Sequence, residues 1–141
     1  MYKSLFDQFV TSSHTLRVYK SDKIIFSSEK DRLLPLVEYL DKFGSRHRKI
    51  VIFDRILGRA AALLCVKANC QEVYSPLGSQ LAIGILGKRG IKYHFSRTVP
   101  CILRPDSTEM CPMELLSIGK DPDEFYRLIK LKIAENAARG S

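Results

Sequence analysis

The chain has 141 residues, room for one ordinary domain and not for two. Hydrophobic residues make up 45% and charged residues 27%, and the six Pro and eight Gly are scattered, which excludes a disordered or fibrous chain. The longest apolar run, Ala60–Val66, falls far short of the ~20 residues that span a bilayer. Asp7 stands where a signal peptide would be apolar, so a cytoplasmic, single-domain protein over residues 1–141 is expected, with no membrane partner.

In chain order, Leu5, Phe6, Phe9 and Val10 have the spacing of a helix over residues 3–11. Leu16–Tyr19, a turn at Ser21-Asp22-Lys23 and Ile24–Phe26 predict a β-hairpin. Leu33, Leu36, Val37, Leu40 and Phe43 share a helical face over 32–43. Pro35, which lacks an N–H, belongs in a first turn and places that helix start near Arg32.

Ile50-Val51-Ile52-Phe53 is continuously apolar and predicts the central strand, covered on both faces and ending at Asp54. A helix rich in small residues follows from about Ile56 to Asn69. Glu72–Tyr74 reads as a short strand broken by Ser75-Pro76-Leu77-Gly78. A helix over 79–88 ends at Gly90, and Ile91–Phe95 is another strand. Beyond Ser96 the pattern loosens, with an extended piece around Pro100 and a turn at Pro105-Asp106-Ser107. Cys111-Pro112 opens a short helix, and a last helix spans about 122–138. Alternating strands and helices predict an α/β fold, a mixed but mostly parallel sheet with helices on both faces in three α/β/α layers.

The net charge is +8, and residues 1–70 hold thirteen basic against seven acidic side chains, with a knot at Arg46-His47-Arg48-Lys49. That excess favours anionic partners such as nucleotides or RNA, the alternative being a solvating basic surface with no specific partner. No aromatic-plus-basic stripe of the RNA-recognition type stands beside the knot. The four cysteines (65, 70, 101 and 111) form no CxxC, and His14, His47 and His94 have no second ligand at metal spacing. Free thiols, no bound metal and no cofactor are expected.

Asp54 ends a buried strand and faces a helix start, the ligand crevice of an open α/β sheet, where it could cap the helix or act on a ligand. Arg55 and Arg59 beside it, with Gly58, could hold a phosphate or simply be solvated. Cys111 takes the N-cap place before Pro112. Cys is a poor cap, and a helix start favours a thiolate nucleophile, yet no His is near in sequence to act as base. A buried structural thiol is the alternative. Ser28 and Glu29 read as a helix start or as pocket residues.

Four segments, Asp54-Arg55-Ile56-Leu57-Gly58-Arg59-Ala60-Ala61-Ala62, Glu72-Val73-Tyr74, Val99-Pro100 and Cys111-Pro112-Met113-Glu114, resemble an uncharacterised prokaryotic family. This family, domain of unknown function 1893, has a cytidine-deaminase-like fold, and the resemblance covers roughly residues 14–125. Deaminases hold zinc with His/Cys-x-Glu at one helix start and Pro-Cys-x-x-Cys at the next. The resemblance puts Ser27, Asp54 and Leu57 at those ligand places, with Glu29 at the proton shuttle, so a zinc deaminase is not expected. Cys70-Gln71-Glu72 with Pro100-Cys101 imitates the pattern without a third ligand.

The preferred reading is a metal-free deaminase-like domain with a nucleotide-type pocket. Asp54, Gly58 and Arg59 would line it, with Glu29, Ser28 and Arg55 nearby and Cys111 from the C-terminal segment. The alternatives are a cysteine-dependent transferase or hydrolase using Cys111, and a basic RNA-associated or protein-interaction module using residues 46–49.

Overall fold

The apolar run does form a strand: Ile50–Asp54 is buried at every position. The computed structural model describes residues 2–140, so Met1 and Ser141, the ends of the expected domain, lie outside the described residues. The order is α1 (Tyr2–Thr11), β1 (Leu16–Lys20), β2 (Lys23–Ser28), α2 (Leu34–Phe43), β3 (Ile50–Asp54), β4 (Ile56–Leu57), α3 (Arg59–Lys67) and β5 (Cys70–Ser79). There follow α4 (Gln80–Lys88), β6 (Lys92–Val99), α5 (Pro112–Ser117) and α6 (Pro122–Gly140).

The six strands form one sheet in which β3 lies between β1 and β5. β3 and β4 pair with successive parts of β5, and β6 pairs along its other edge. The sheet is mixed rather than mostly parallel, a correction to the expectation. β2 and β3 run the same way and are joined through α2, but β1 lies between them, antiparallel to both. A hairpin forces its two strands to be antiparallel, whereas the strand–helix–strand links after β3 give the parallel pairs.

Three boundaries move for local reasons. Arg32 has φ of +58°, outside the helical region, so α2 starts at Leu34 with Pro35 still in its first turn. Ile56 and Leu57 pair with Leu77 and Gly78 as β4, which delays α3 to Arg59. β5 runs through Pro76 because β3 stops pairing at Tyr74 and β4 resumes at Leu77, so no N–H is required between them. There the Ser75 hydroxyl takes the Leu77 N–H at 3.2 Å and donates to the Leu77 carbonyl at 2.8 Å.

Strand alternation divides the core. Val51 and Phe53 point to one face, where Phe6 and Phe9 of α1 and Tyr19 of β1 close over them. Ile50 and Ile52 point to the other, with Leu36 and Leu40 of α2, Leu63 and Leu64 of α3, Leu86 of α4 and Phe125 of α6. Helices therefore lie on both faces, but unequally. On the second face the Phe95 ring of β6 lies over Gly78, where a Cβ would stand 2.1 Å from it.

Gly78→Ala is expected to destabilise the fold by about 1–3 kcal/mol in denaturant unfolding, because the ring must move out of a packed site. Pairing it with Phe95→Leu should recover part of the loss. An unchanged midpoint for Gly78→Ala would show that the ring yields freely.

Candidate functional site

The start of α3 is where the sequence places an anionic ligand, and it is already filled. Gly58, the N-cap, has extended backbone and no side chain to offer. Glu114 of α5, only 2% exposed, reaches in from the far end of the chain. Its Oε1 accepts the N–H of Arg59 at 2.6 Å and of Ala60 at 3.4 Å, and its Oε2 accepts the N–H of Ile102 at 3.0 Å. The unpaired N–H groups and positive end of a helix favour a negative charge there. Glycine at 58 is required by this approach: a Cβ would lie 2.6 Å from Glu114 Oε1 and 2.7 Å from Ile102 Cγ1. The segments carrying Asp54 and Cys111 thus do meet, but Glu114 joins them.

Asp54 does not cap α3, because β4 intervenes. It is buried at the end of β3, where desolvation pushes its carboxyl up to about 8 against hydrogen bonds from the Arg55 and Ile56 N–H groups. Behind it, Cys65 is raised by a hydrogen bond to Cys70, by burial and by the charges of Cys70 and Asp54. Both thiols are buried.

Arg55 turns away from Arg59. Its Nε donates to the His14 carbonyl at 2.9 Å and Nη1 to that of Val10 at 2.8 Å. Nη2 reaches Phe9 and Ser12 at 2.8 and 2.6 Å, so the guanidinium ties down the end of α1 rather than facing a ligand. It also sits 4.5 Å from the Phe9 ring centre. Ser28 is the last residue of β2, its carbonyl taken by Thr15 and its hydroxyl by the Lys30 N–H. Glu29 is exposed in the following loop, so neither stands at the start of α2, five residues on. Cys111 is half-buried at the start of α5, and its N–H is held by Ile102. Each imidazole among the described residues is engaged elsewhere: His14 with Arg17 at 2.8 Å, His94 with Glu72 at 2.6 Å and His47 against the Phe43 ring.

Arg59 leads instead to a hollow of about 340 Å³ between α3, α4 and the turn into α6. Its walls are Leu63 and Ile85, and its rim carries Arg59, Lys88, Arg89 and Lys120. Arg59 Nη1 donates to the Ser117 carbonyl, which fixes the guanidinium at the rim. The two carboxylates on the rim are committed to the start of α6, where Asp121 Oδ1 takes the Glu124 N–H at 2.8 Å and Glu124 Oε1 the Asp121 N–H at 3.3 Å. Sequence reasoning missed Lys88, Arg89, Lys120 and the role of Glu114. The available signals were a Lys-Arg pair at a helix end and an acid three residues after Cys111. A second, larger hollow of about 660 Å³ lies between α1 and β6, with Tyr74 and the His94 ring stacked on its floor at 4.2 Å.

A catalytic zinc does not fit the residues at the deaminase ligand places. Ser27 is exposed on β2, Asp54 is held by its own backbone, and Leu57 is a fully buried apolar side chain. Among the described residues no three His, Cys, Asp or Glu side chains converge to hold a metal. Cys70 and Cys101 belong to opposite ends of β5 and β6: Cys70 pairs with Ile50, whereas Cys101 follows Val99, the partner of Ser79.

Glu114→Gln is expected to lower unfolding stability by about 1.5–3 kcal/mol, since the amide keeps one acceptor but sets an NH2 against the Ile102 or Arg59 N–H. Equal stability of the two proteins would mean that the charge contributes nothing. For Asp54 the raised folded value sets the sign. Between about pH 4 and pH 8 the folded state holds a proton that the unfolded state has lost. Stability from this group is full below the unfolded value and declines as pH rises through the folded one, by at most about 1.4 kcal/mol per pH unit. Asp54→Asn should therefore gain on the wild type between pH 5 and pH 8 in parallel denaturation curves; a constant gap would refute the buried neutral acid.

The comparisons with known proteins agree with this architecture. Among solved structures, a DUF1893 family protein, TM1506 of Thermotoga maritima, superposes with a TM-score of 0.80 at 26% identity, over 93% of this chain and 88% of that one. Among curated proteins none matches significantly. The family described as TM1506, domain of unknown function DUF1893, matches residues 6–133. The chain is a member of the DUF1893 family.

Proposed function

We propose that this protein is a metal-free, cytidine-deaminase-like domain that binds a small phosphorylated ligand of nucleotide type in the hollow rimmed by Arg59, Lys88, Arg89 and Lys120. The deaminase-like reading is supported by the order helix, hairpin, helix, strand, helix, strand, helix, strand and by the strand arrangement around β3. The observation that carries the ligand is electrostatic. Lys88, Arg89 and Lys120 have no acidic side-chain partner among the described residues, and they converge with Arg59 on one concave site.

Four cations against the carboxylates of Asp121 and Glu124 leave the hollow net positive, and a phosphate offsets that charge while accepting guanidinium and ammonium hydrogen bonds. Ile85, half-buried at the hollow, offers an apolar wall for a flat ring. The start of α3 does not contribute, because Glu114 already occupies it. Of the residues singled out in the sequence, Arg59 contacts the ligand directly. Gly58 and Asp54 shape the segment that presents it.

Thermal denaturation with nucleosides and their mono-, di- and triphosphates tests the reading. A phosphorylated ligand at about 100 times its dissociation constant adds about 2.7 kcal/mol, a melting shift of several degrees for a domain of this length. The unphosphorylated nucleoside should give little, and Lys88→Ala/Lys120→Ala should lose the shift while melting normally without ligand. The reading fails if no phosphorylated compound shifts the midpoint, or if the double variant responds like the wild type.

A further inference from the structure

The sheet register gathers a second group of cations, distinct from the hollow. Lys20 and Lys23 face each other directly across the β1–β2 pair, and Lys20 also pairs with Ile50, the residue after Lys49. The α2–β3 loop therefore sets Arg46, Arg48 and Lys49 beside the hairpin turn, at the end of the sheet where β3 and β5 begin. All five side chains are exposed, and none has an acidic side-chain partner among the described residues. Two acids lie near this end, Glu72, in register with Val51 and bonded to His94 at 2.6 Å, and Asp22 in the hairpin turn, so the cluster keeps a net positive charge. Like charges directly opposite on paired strands are unfavourable, so this arrangement is one that a polyanion would stabilise.

We propose that this end of the sheet is a docking surface for the phosphodiester backbone of a nucleic acid. Charge complementarity selects the occupant. The cations span β2, β1 and the start of β3, about 10 Å across the sheet, and loop Arg46–Lys49 extends the row. They are a linear array on an exposed rim, not a closed pocket, and so suit a chain of phosphates better than one. Binding is through the backbone and is sequence-independent, because contacts from cations to phosphates carry no sequence information. His47, packed on Phe43, lies within the basic loop.

Fluorescence anisotropy with labelled single-stranded RNA, single-stranded DNA and duplex DNA of one length, from 50 to 200 mM salt, tests the surface. With four or five contacts the logarithm of affinity for a single strand should fall against log salt with a slope near −3. Arg48→Gln/Lys49→Gln should weaken binding about tenfold at low salt and reduce the slope by about 1.4. The matched control is Arg97→Gln/Arg104→Gln, which removes the same charge at the other end. Leu77 pairs with Arg97 and Cys70 with Ile50, so Arg97 stands about 23 Å up the sheet. The control should bind like the wild type, and so should Lys88→Ala/Lys120→Ala, which separates this surface from the hollow. Relative affinities of the three probes assign the preferred nucleic acid. Equal weakening by the control, loss of binding in the hollow variant alone, no measurable binding at 50 mM salt, or tighter binding to anionic lipid vesicles than to any oligonucleotide would each overturn the proposal.

Discussion

A carboxylate taken out of water is costly unless its lone pairs are met, and Glu114 meets its cost at a helix start that has spare donors. The first N–H groups of α3 have no partner within the helix, and two of them, with that of Ile102, point at Glu114. Most of the C-terminal architecture depends on this contact. It fixes α5 against α3, holds the return of the chain at Ile102 and Cys111, and positions Ser117, whose carbonyl in turn holds Arg59. The same contact dictates glycine at 58, since any side chain there would occupy the carboxylate's place.

The usual ligand end of an open α/β sheet, beyond the carboxyl ends of its parallel strands, is therefore occupied by the protein itself. β4 extends the sheet past Asp54, Glu114 seals the helix start, and Asp54 is left inside, where burial rather than a charged neighbour governs its titration. Positive charge accumulates elsewhere: on the rim formed by α3, α4 and the turn into α6, and at the opposite end of the sheet around Lys20 and Arg48. Among the described residues the cations at those two places have no acidic side-chain partner, whereas the helix start is met by Glu114.

On the other face of the sheet the corresponding anchor is Arg55. Four carbonyls at the end of α1 accept from its guanidinium, and Phe9 lies beneath it. This clamp keeps Phe6 and Phe9 over Val51 and Phe53. A residue adjacent in sequence to the presumed ligand crevice thus serves packing, while Arg59, four residues on, faces the opposite side. Between them β4 and the start of α3 separate the two guanidinium groups.

Local chemistry made much of the fold legible. The unbroken apolarity of Ile50–Phe53 marks a strand covered on both sides, Pro35 confines the start of α2 to its own turn, and the Ser79 hydroxyl caps α4 on the Ala82 N–H at 3.1 Å. The spacing of Phe125 and Ile129 likewise marks the buried face of α6. Strand direction was not legible, because β1 inserts between β2 and β3 and only long-range pairing decides that. Nor was the split of residues 54–58 into a buried acid, a short strand and a glycine cap, since a strand and a helix start are equally open to such a sequence until β5 supplies a partner at Leu77. The sequence by itself determined which residues are apolar enough to be core and which carry charge. Only the tertiary structure decided which charges are spent: Glu114 and Arg55 are consumed by backbone groups 12 to 55 residues away, whereas Lys88 and Lys120 are brought to one hollow and have no acidic side-chain partner among the described residues. Desolvation and hydrogen bonding between distant segments set that outcome, and neither is a property of a local stretch of chain.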